Sequence, residues 1–149
     1  MSGFMTKWAV LREHQVTADD LGTDGTVSDQ AVGRWVDGAC SAYLDGCALL
    51  RQARDRDGLD VRHRPATLPR GASLGRPTSL VVTASATEIR PSSFTVAVRL
   101  RPAGGDREVA VNASCVVRLE DRATGAAQPI GTDLRDELIA IEHAARHYN

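Results

Sequence analysis

Val32, Trp35, Val36, Ala39, Cys40, Tyr43, Cys47 and Leu50 recur at spacings of three and four. A helix through them carries one broad apolar stripe. The stripe has to be covered, and most of the chain that follows is strand-forming. Residues 79–89 are rich in Val and Thr, residues 94–100 alternate through Phe94, Val96, Val98 and Leu100, and residues 109–119 do the same. Pro91-Ser92-Ser93 joins the first two segments and Pro102-Ala103-Gly104-Gly105-Asp106 the second two. Connections this short make the three strands an antiparallel meander. Such a sheet can bury the stripe on one face only by curling around it. The fold class expected is α+β.

The other segments are read against that core. Residues 7–16 alternate, with Trp8, Val10 and Arg12 against Ala9 and Leu11, and read as a first strand. Residues 17–28 hold Asp19, Asp20, Gly22, Asp24 and Gly25 and form a turn-rich loop without a packing pattern. Ser28 or Asp29 can cap the helix, and Asp29 suits its positive end. The helix runs on into the charged stretch 51–57 and stops at Gly58, a C-cap signal. Gly33, Gly38 and Gly46 interrupt its interior, each costing about 0.5–1 kcal/mol relative to alanine. Their expected use is close approach by the backbone of the enclosing sheet. Residues 59–75 contain Pro65 and Pro69 and read as an irregular or edge strand around 61–68 followed by a turn. A last helix over 133–147 aligns Leu134, Leu138, Ile141 and Ala145. With no repeat and no linker, residues 1–149 are expected to form one domain.

Composition narrows the functional classes. The 149 residues are 42% apolar and 25% charged, with a formal net charge of −1. That balance lacks the net basic surface that electrostatic binding to nucleic acid requires. No apolar run approaches the roughly 18 residues of a membrane span, and the N-terminus carries no signal-peptide block. The expectation is a soluble, cytoplasmic chain. Lys7 is the single lysine and every other basic residue is arginine. A GC-rich coding sequence accounts for that bias, as would arginines that grip phosphate or carboxylate. Cys40, Cys47 and Cys115 make no CxxC or zinc spacing and read as core thiols in a reducing compartment. His14, His63, His143 and His147 show no metal spacing, so no metal site is expected. A Gly-x-Ser-x-Gly serine-hydrolase motif is also missing.

Two stretches carry a resemblance. Asp20-Leu-Gly-Thr-Asp-Gly25-Thr-Val27 is followed by Arg34-Trp35-Val-Asp37-Gly-Ala39-Cys-Ser-Ala-Tyr43. Together with the element order, this resembles the hotdog fold of the 4-hydroxybenzoyl-CoA thioesterase-like family, whose members have an Asp-x-Asp-x-x-Gly loop and an Arg-Trp-x-Asp run on the helix. Asp20 matches the first aspartate, Gly25 the glycine and Val27 the valine after it. Glu88-Ile-Arg90-Pro-Ser-Ser93-Phe94 resembles the strand turn whose basic residues meet the CoA phosphates. The chain departs from the pattern at one position that matters. In many members the second loop aspartate is the catalytic carboxylate, and its place is taken here by Gly22. Thr26 stands where relatives often have histidine, and Ser28-Asp29 replaces an Asn-rich helix start.

The resemblance implies an acyl-CoA thioesterase-like hydrolase with sites at the interface of a homodimer, or of a dimer of dimers. Open sheet edges favour the same pairing. Thioester hydrolysis needs a carboxylate to activate water or attack, plus donors for the oxyanion. Backbone amides entering the helix, including those of Gly25 and Thr26, serve the second need. Asp24 and Asp29 are the carboxylates on offer for the first, with a turn-forming aspartate and a helix cap as their plainer readings. Arg90, Ser92 and Ser93 are the candidates for the CoA phosphates, and no other cofactor is implied. The alternative is a non-catalytic hotdog protein that binds an acyl or aromatic ligand, or acts as a partner subunit. Aromatic residues are 4% of the chain, which favours an aliphatic over an aryl-stacking pocket.

Overall fold

The computed structural model describes residues 9–104 and 110–147. Lys7, Trp8, Gly105, Asp106, Val109 and the side chains of Ala145 and His147 lie outside the described residues. The elements in chain order are β1 (Val10–Gln15), a 3-10 turn (Ala18–Asp20), α1 (Asp29–Asp45), α2 (Ala48–Asp55) and β2 (Leu59–Thr67). A second 3-10 turn (Gly71–Leu74), β3 (Ser79–Ile89), β4 (Ser93–Pro102), β5 (Val111–Asp121), β6 (Ala127–Gln128) and α3 (Thr132–His147) follow.

The strands form one six-stranded antiparallel sheet in the order β1-β3-β4-β5-β2, with β6 added beside β5. The sheet is curled, and α1 lies in its hollow. Alternation sorts the two faces. Leu80, Val82 and Ala84 of β3, Phe94, Val96, Val98 and Leu100 of β4, and Cys115 and Val117 of β5 point inward and are buried against α1. They meet Val32, Val36, Ala39, Cys40 and Tyr43, so the stripe is the core of the molecule. Each large side chain buried there contributes about 1.5–3 kcal/mol. All three cysteines are free and buried among them. Among the described residues no helix is long and apolar enough to cross a membrane.

Three expectations are corrected. The helix expected to run unbroken from residue 28 to 57 is two helices. Gly46 closes α1 through its N–H to the Ala42 carbonyl, and α2 begins after Cys47. Beyond this break α2 packs along β2 and α3. Glu137 of α3 supports the break by accepting hydrogen bonds from the Leu49 amide, at 3.0 Å, and the Cys47 thiol. A carboxylate there also answers the positive start of α2. The glycines of α1 are not points of close sheet approach. Gly33 faces open space, Gly38 meets only the Arg12 guanidinium, and Gly46 meets its own helix. The edge strand starts earlier than residue 61 and is longer, with its irregularity confined to Pro65/Thr67. Pro65 sits where no ladder N–H is needed, on the open edge.

Candidate functional site

The segment between β1 and α1 is folded by its own polar residues. Asp20, 6% exposed, accepts from the Thr17 amide at 2.9 Å and from the Thr17 hydroxyl at 3.2 Å. Its other oxygen meets Arg34 Nη2 at 2.7 Å. Burial pushes its carboxyl upward, but the bonds from Thr17 and Arg34 together outweigh that and hold it below the usual range. The Asp20 carbonyl takes the Ser28 amide at 2.8 Å, and Leu21 bridges Val27. Residues 22–26 are thereby pinched into a turn. Gly22 N–H reaches the Thr26 carbonyl at 2.7 Å, and Gly25 takes φ +81°, a backbone that disfavours any side chain.

Within this turn Asp24 is exposed. Its Oδ1 accepts from the Thr26 amide at 3.0 Å and the Thr26 hydroxyl at 2.8 Å, and its Oδ2 has no partner among the described residues. The Thr26 amide is the main reason its carboxyl lies below the ordinary range. A side chain built on Gly22 would start 3.5 Å from Asp24 Oδ1. The Asp24 carboxylate therefore lies beside the position from which a residue at 22 would project.

Asp29 is placed differently. Its Oδ1 accepts the Gly71 amide at 2.8 Å and its Oδ2 lies 3.5 Å from Arg70 Nε. It fastens the second 3-10 turn to the start of α1. Residues 70–76, which the sequence marks only as irregular, wrap the loop. The Gly75 carbonyl takes the Val27 amide at 2.9 Å, and Arg76 approaches Gly25. A Cβ on Gly71 would fall 2.2 Å from the Val27 carbonyl oxygen, so only glycine fits.

The amides of Gly25 and Thr26 are both engaged, with the Gly22 carbonyl and with Asp24. Those of Val27, Ser28 and Ala31 are also engaged, the last by the Ser28 cap at 3.1 Å. Asp29 and Gln30 carry the open N–H groups of the first helical turn.

Arg90, Ser92 and Ser93 lie elsewhere. The β3–β4 turn is at the other end of the 11-residue β3 from this loop, about 33 Å along the strand. Arg90 is exposed there and pairs with Glu88 at 2.5 Å.

One pairing had no sequence signal. His63 of β2 and Asp37 of α1 meet at 2.8 Å, bringing an edge strand to the middle of the helix. Asp37 is eight residues beyond Asp29, about 12 Å along the axis, so the pair stands apart from the loop. His14 packs on Trp35 with ring centroids 6.0 Å apart, and burial, then Arg12, lowers its pKa against an opposing pull from Asp20. Among the described residues no group of three His, Cys, Asp or Glu could hold a metal ion.

The fold has structural counterparts. A 4-hydroxybenzoyl-CoA thioesterase variant holding 4-hydroxybenzoyl-CoA superposes with a TM-score of 0.61 over 87% of this chain and 97% of its own, at 16% identity. A thioesterase from Thermus thermophilus complexed with coenzyme A and zinc gives 0.63 over 92% and 97%, also at 16% identity. The chain has the hotdog fold. A 12:0-ACP thioesterase from Umbellularia californica matches at 0.65 and 16% identity over 89% of this chain, which spans 53% of that protein. By sequence, no family model and no curated protein matches. The likeness to these proteins is one of fold.

Proposed function

We propose that the chain hydrolyses the thioester of an acyl-CoA, water adding across the C–S bond to give the free acid and CoA. The observation that carries the reading is the place of Asp24. Its carboxylate lies beside the side-chain position of Gly22, where the thioesterases that the loop resembles have their carboxylate. One of its oxygens is oriented by Thr26 and the other is free to take a proton from water or to attack the carbonyl. The open amides of Asp29 and Gln30 supply donors for the oxyanion. Asp29, with both oxygens engaged, positions these amides and the 70–76 segment. Arg90, Ser92 and Ser93 meet the CoA phosphates of a site shared between two chains. Antiparallel pairing of two β2 edges would set opposite ends of two sheets side by side.

The test is CoA release from short, long and aromatic acyl-CoAs, quantified directly so that the protein's own thiols do not interfere. Asp24→Ala should lower kcat by on the order of 10²–10⁴, the contribution of a positioned base. Asp29→Ala should act less strongly and through KM as well. Because the Asp24 carboxyl lies below its usual range, turnover should persist as pH falls to about 4. Full activity in Asp24→Ala would remove this assignment. A monomer by light scattering would remove the shared site.

Gly22 favours a second reading, an acyl-ligand-binding hotdog protein without turnover. No release from any substrate by a folded dimer would leave that reading in place.

A further inference from the structure

The outer face of the sheet carries a charge arrangement that the hydrolysis reading does not use. On β5, residues 116, 118 and 120 point away from α1, since Cys115, Val117 and Leu119 between them are buried, and the register sets residues 64, 62 and 60 of β2 opposite them on the same face. The register sets Asp60 opposite Glu120 and, one step on, Arg62 opposite Arg118. On β4, Ser93 lies opposite Arg118, so Arg62, Arg118 and Ser93 form one row across three strands. Arg64 lies in the next row, opposite Val116, a diagonal neighbour of Arg118.

Like charges directly opposite each other in a sheet are destabilising. Arg62 is answered by Glu120 at 2.9 Å and Asp60 at 3.3 Å. Arg64 and Arg118 have no carboxylate partner among the described residues. These side chains line a hollow of about 490 Å³ with Val61, His63 and Val116 in its walls. That volume falls within the roughly 300–1,000 Å³ of small-molecule sites. It is far larger than a lone inorganic anion needs.

We propose that this hollow binds a ligand bearing two linked phosphates, a diphosphate group carried on a larger body. Two unanswered guanidiniums in adjacent rows match two neighbouring phosphates, and forked donors suit phosphate oxygens. Glu120 and Asp60 hold Arg62 at the border and close off the acidic end. The diphosphate has two possible sources, the nucleotide end of CoA or a free nucleotide. The site stands apart from the hydrolysis reading; only its assignment to CoA rests on it.

Titration calorimetry with inorganic pyrophosphate and with CoA, on the full chain, tests this. Wild type should bind pyrophosphate, and Arg64→Gln and Arg118→Gln should each weaken it on the order of tenfold, as expected for lost charged hydrogen bonds. Arg99→Gln, which removes a charge from the same face outside the hollow, should leave it unchanged. Without ligand, Arg118→Gln should melt at or above the wild-type temperature, because a like-charge opposition is relieved. A variant that binds weakly through misfolding would melt lower. CoA affinity falling in parallel identifies the CoA nucleotide as the source and moves its phosphates from the Arg90 turn to this hollow. CoA affinity unchanged while pyrophosphate binding falls identifies a free nucleotide. Equal pyrophosphate affinity in wild type and both variants, or no binding at millimolar concentration, overturns the proposal. Binding without thioester turnover would sink the hydrolysis reading and keep this one.

Discussion

At its first turns α1 is held by Asp20, which reaches Arg34 fourteen residues away; at its last it is held by Glu142, which reaches Tyr43 across ninety-nine. Both are carboxylates less than a tenth exposed, and both collect several donors. Asp20 takes two bonds from Thr17 and one from Arg34. Glu142 takes the Tyr43 hydroxyl at 2.6 Å, the Ala86 amide at 3.1 Å and the Ser85 hydroxyl. The difference lies in what each organises. Asp20 shapes a local loop whose partners share its stretch of chain. Glu142 ties α3 to the helix and to β3, accepting the Ala86 amide. Burial beside that carboxylate raises the Tyr43 hydroxyl pKa, so tyrosine stays the donor.

The largest effect should follow from cutting the distant tie. Glu142→Ala leaves two hydroxyls and one amide without an acceptor, at about 3–4 kcal/mol in all. Urea unfolding should show the loss, with Glu142→Gln less damaged because one acceptor oxygen remains. A Glu142→Ala variant as stable as wild type would show that the two ends do not differ in this way.

At the other end the severe change is Gly71→Ala. The new Cβ would fall 2.2 Å from the Val27 carbonyl oxygen and 2.7 Å from the Ser28 carbonyl, both backbone atoms that cannot rotate aside. The 3-10 turn must move off the helix, taking the Asp29 latch with it, at about 1–3 kcal/mol. Chemical unfolding would measure the loss. Because the turn braces the loop, acyl-CoA turnover should fall as well, whereas Glu142→Ala should spare turnover wherever the protein is still folded.

This contrast also explains what was legible in the sequence. The stripe, the three alternating strands and the loop before the helix are written in residues close along the chain. Period and turn chemistry reveal such features directly. Asp20 stands out only as the match to the first aspartate of the family loop. Glu142 sits in an ordinary amphipathic pattern, and nothing near it announces Tyr43 or Ser85. The same holds for Asp37 with His63 and for Asp29 with Gly71. Each pair exists only once the sheet has closed. The break at Gly46 was hidden because the apolar spacing runs straight through it to Leu50. What holds the break is Glu137 of α3, which takes the Leu49 amide and the Cys47 thiol and is far away along the chain.

Asp20 makes the local end testable by pH. Its carboxyl is held below the ordinary value, so its contribution is complete above about pH 4 and is lost as pH falls through the folded-state value. Asp20→Asn removes the charge and one good acceptor and should cost about 1–2 kcal/mol at neutral pH. Its acid limb should be shallower than that of wild type, the two curves converging at low pH. Parallel curves in a pH series of urea melts would mean that Asp20 is not the group being titrated.

The smallest effect carries the opposite sign. Gly33 lies inside α1, and a methyl group built on it would meet nothing within 4 Å. The amphipathic pattern invites the view that glycine is kept there for close packing, as it is at Gly71. The two positions differ in what surrounds them. Gly71 is wedged against two carbonyls, whereas Gly33 is on the side of α1 that the sheet leaves open. Nothing then offsets the entropy that a helical glycine loses on folding, so Gly33→Ala should raise stability by about 0.5–1 kcal/mol. Thermal and urea unfolding should agree on that gain, with turnover unchanged. A loss instead would reveal a neighbour at Gly33, and a second copy of the chain lying over this side of the helix is the neighbour that light scattering of the same variant would detect.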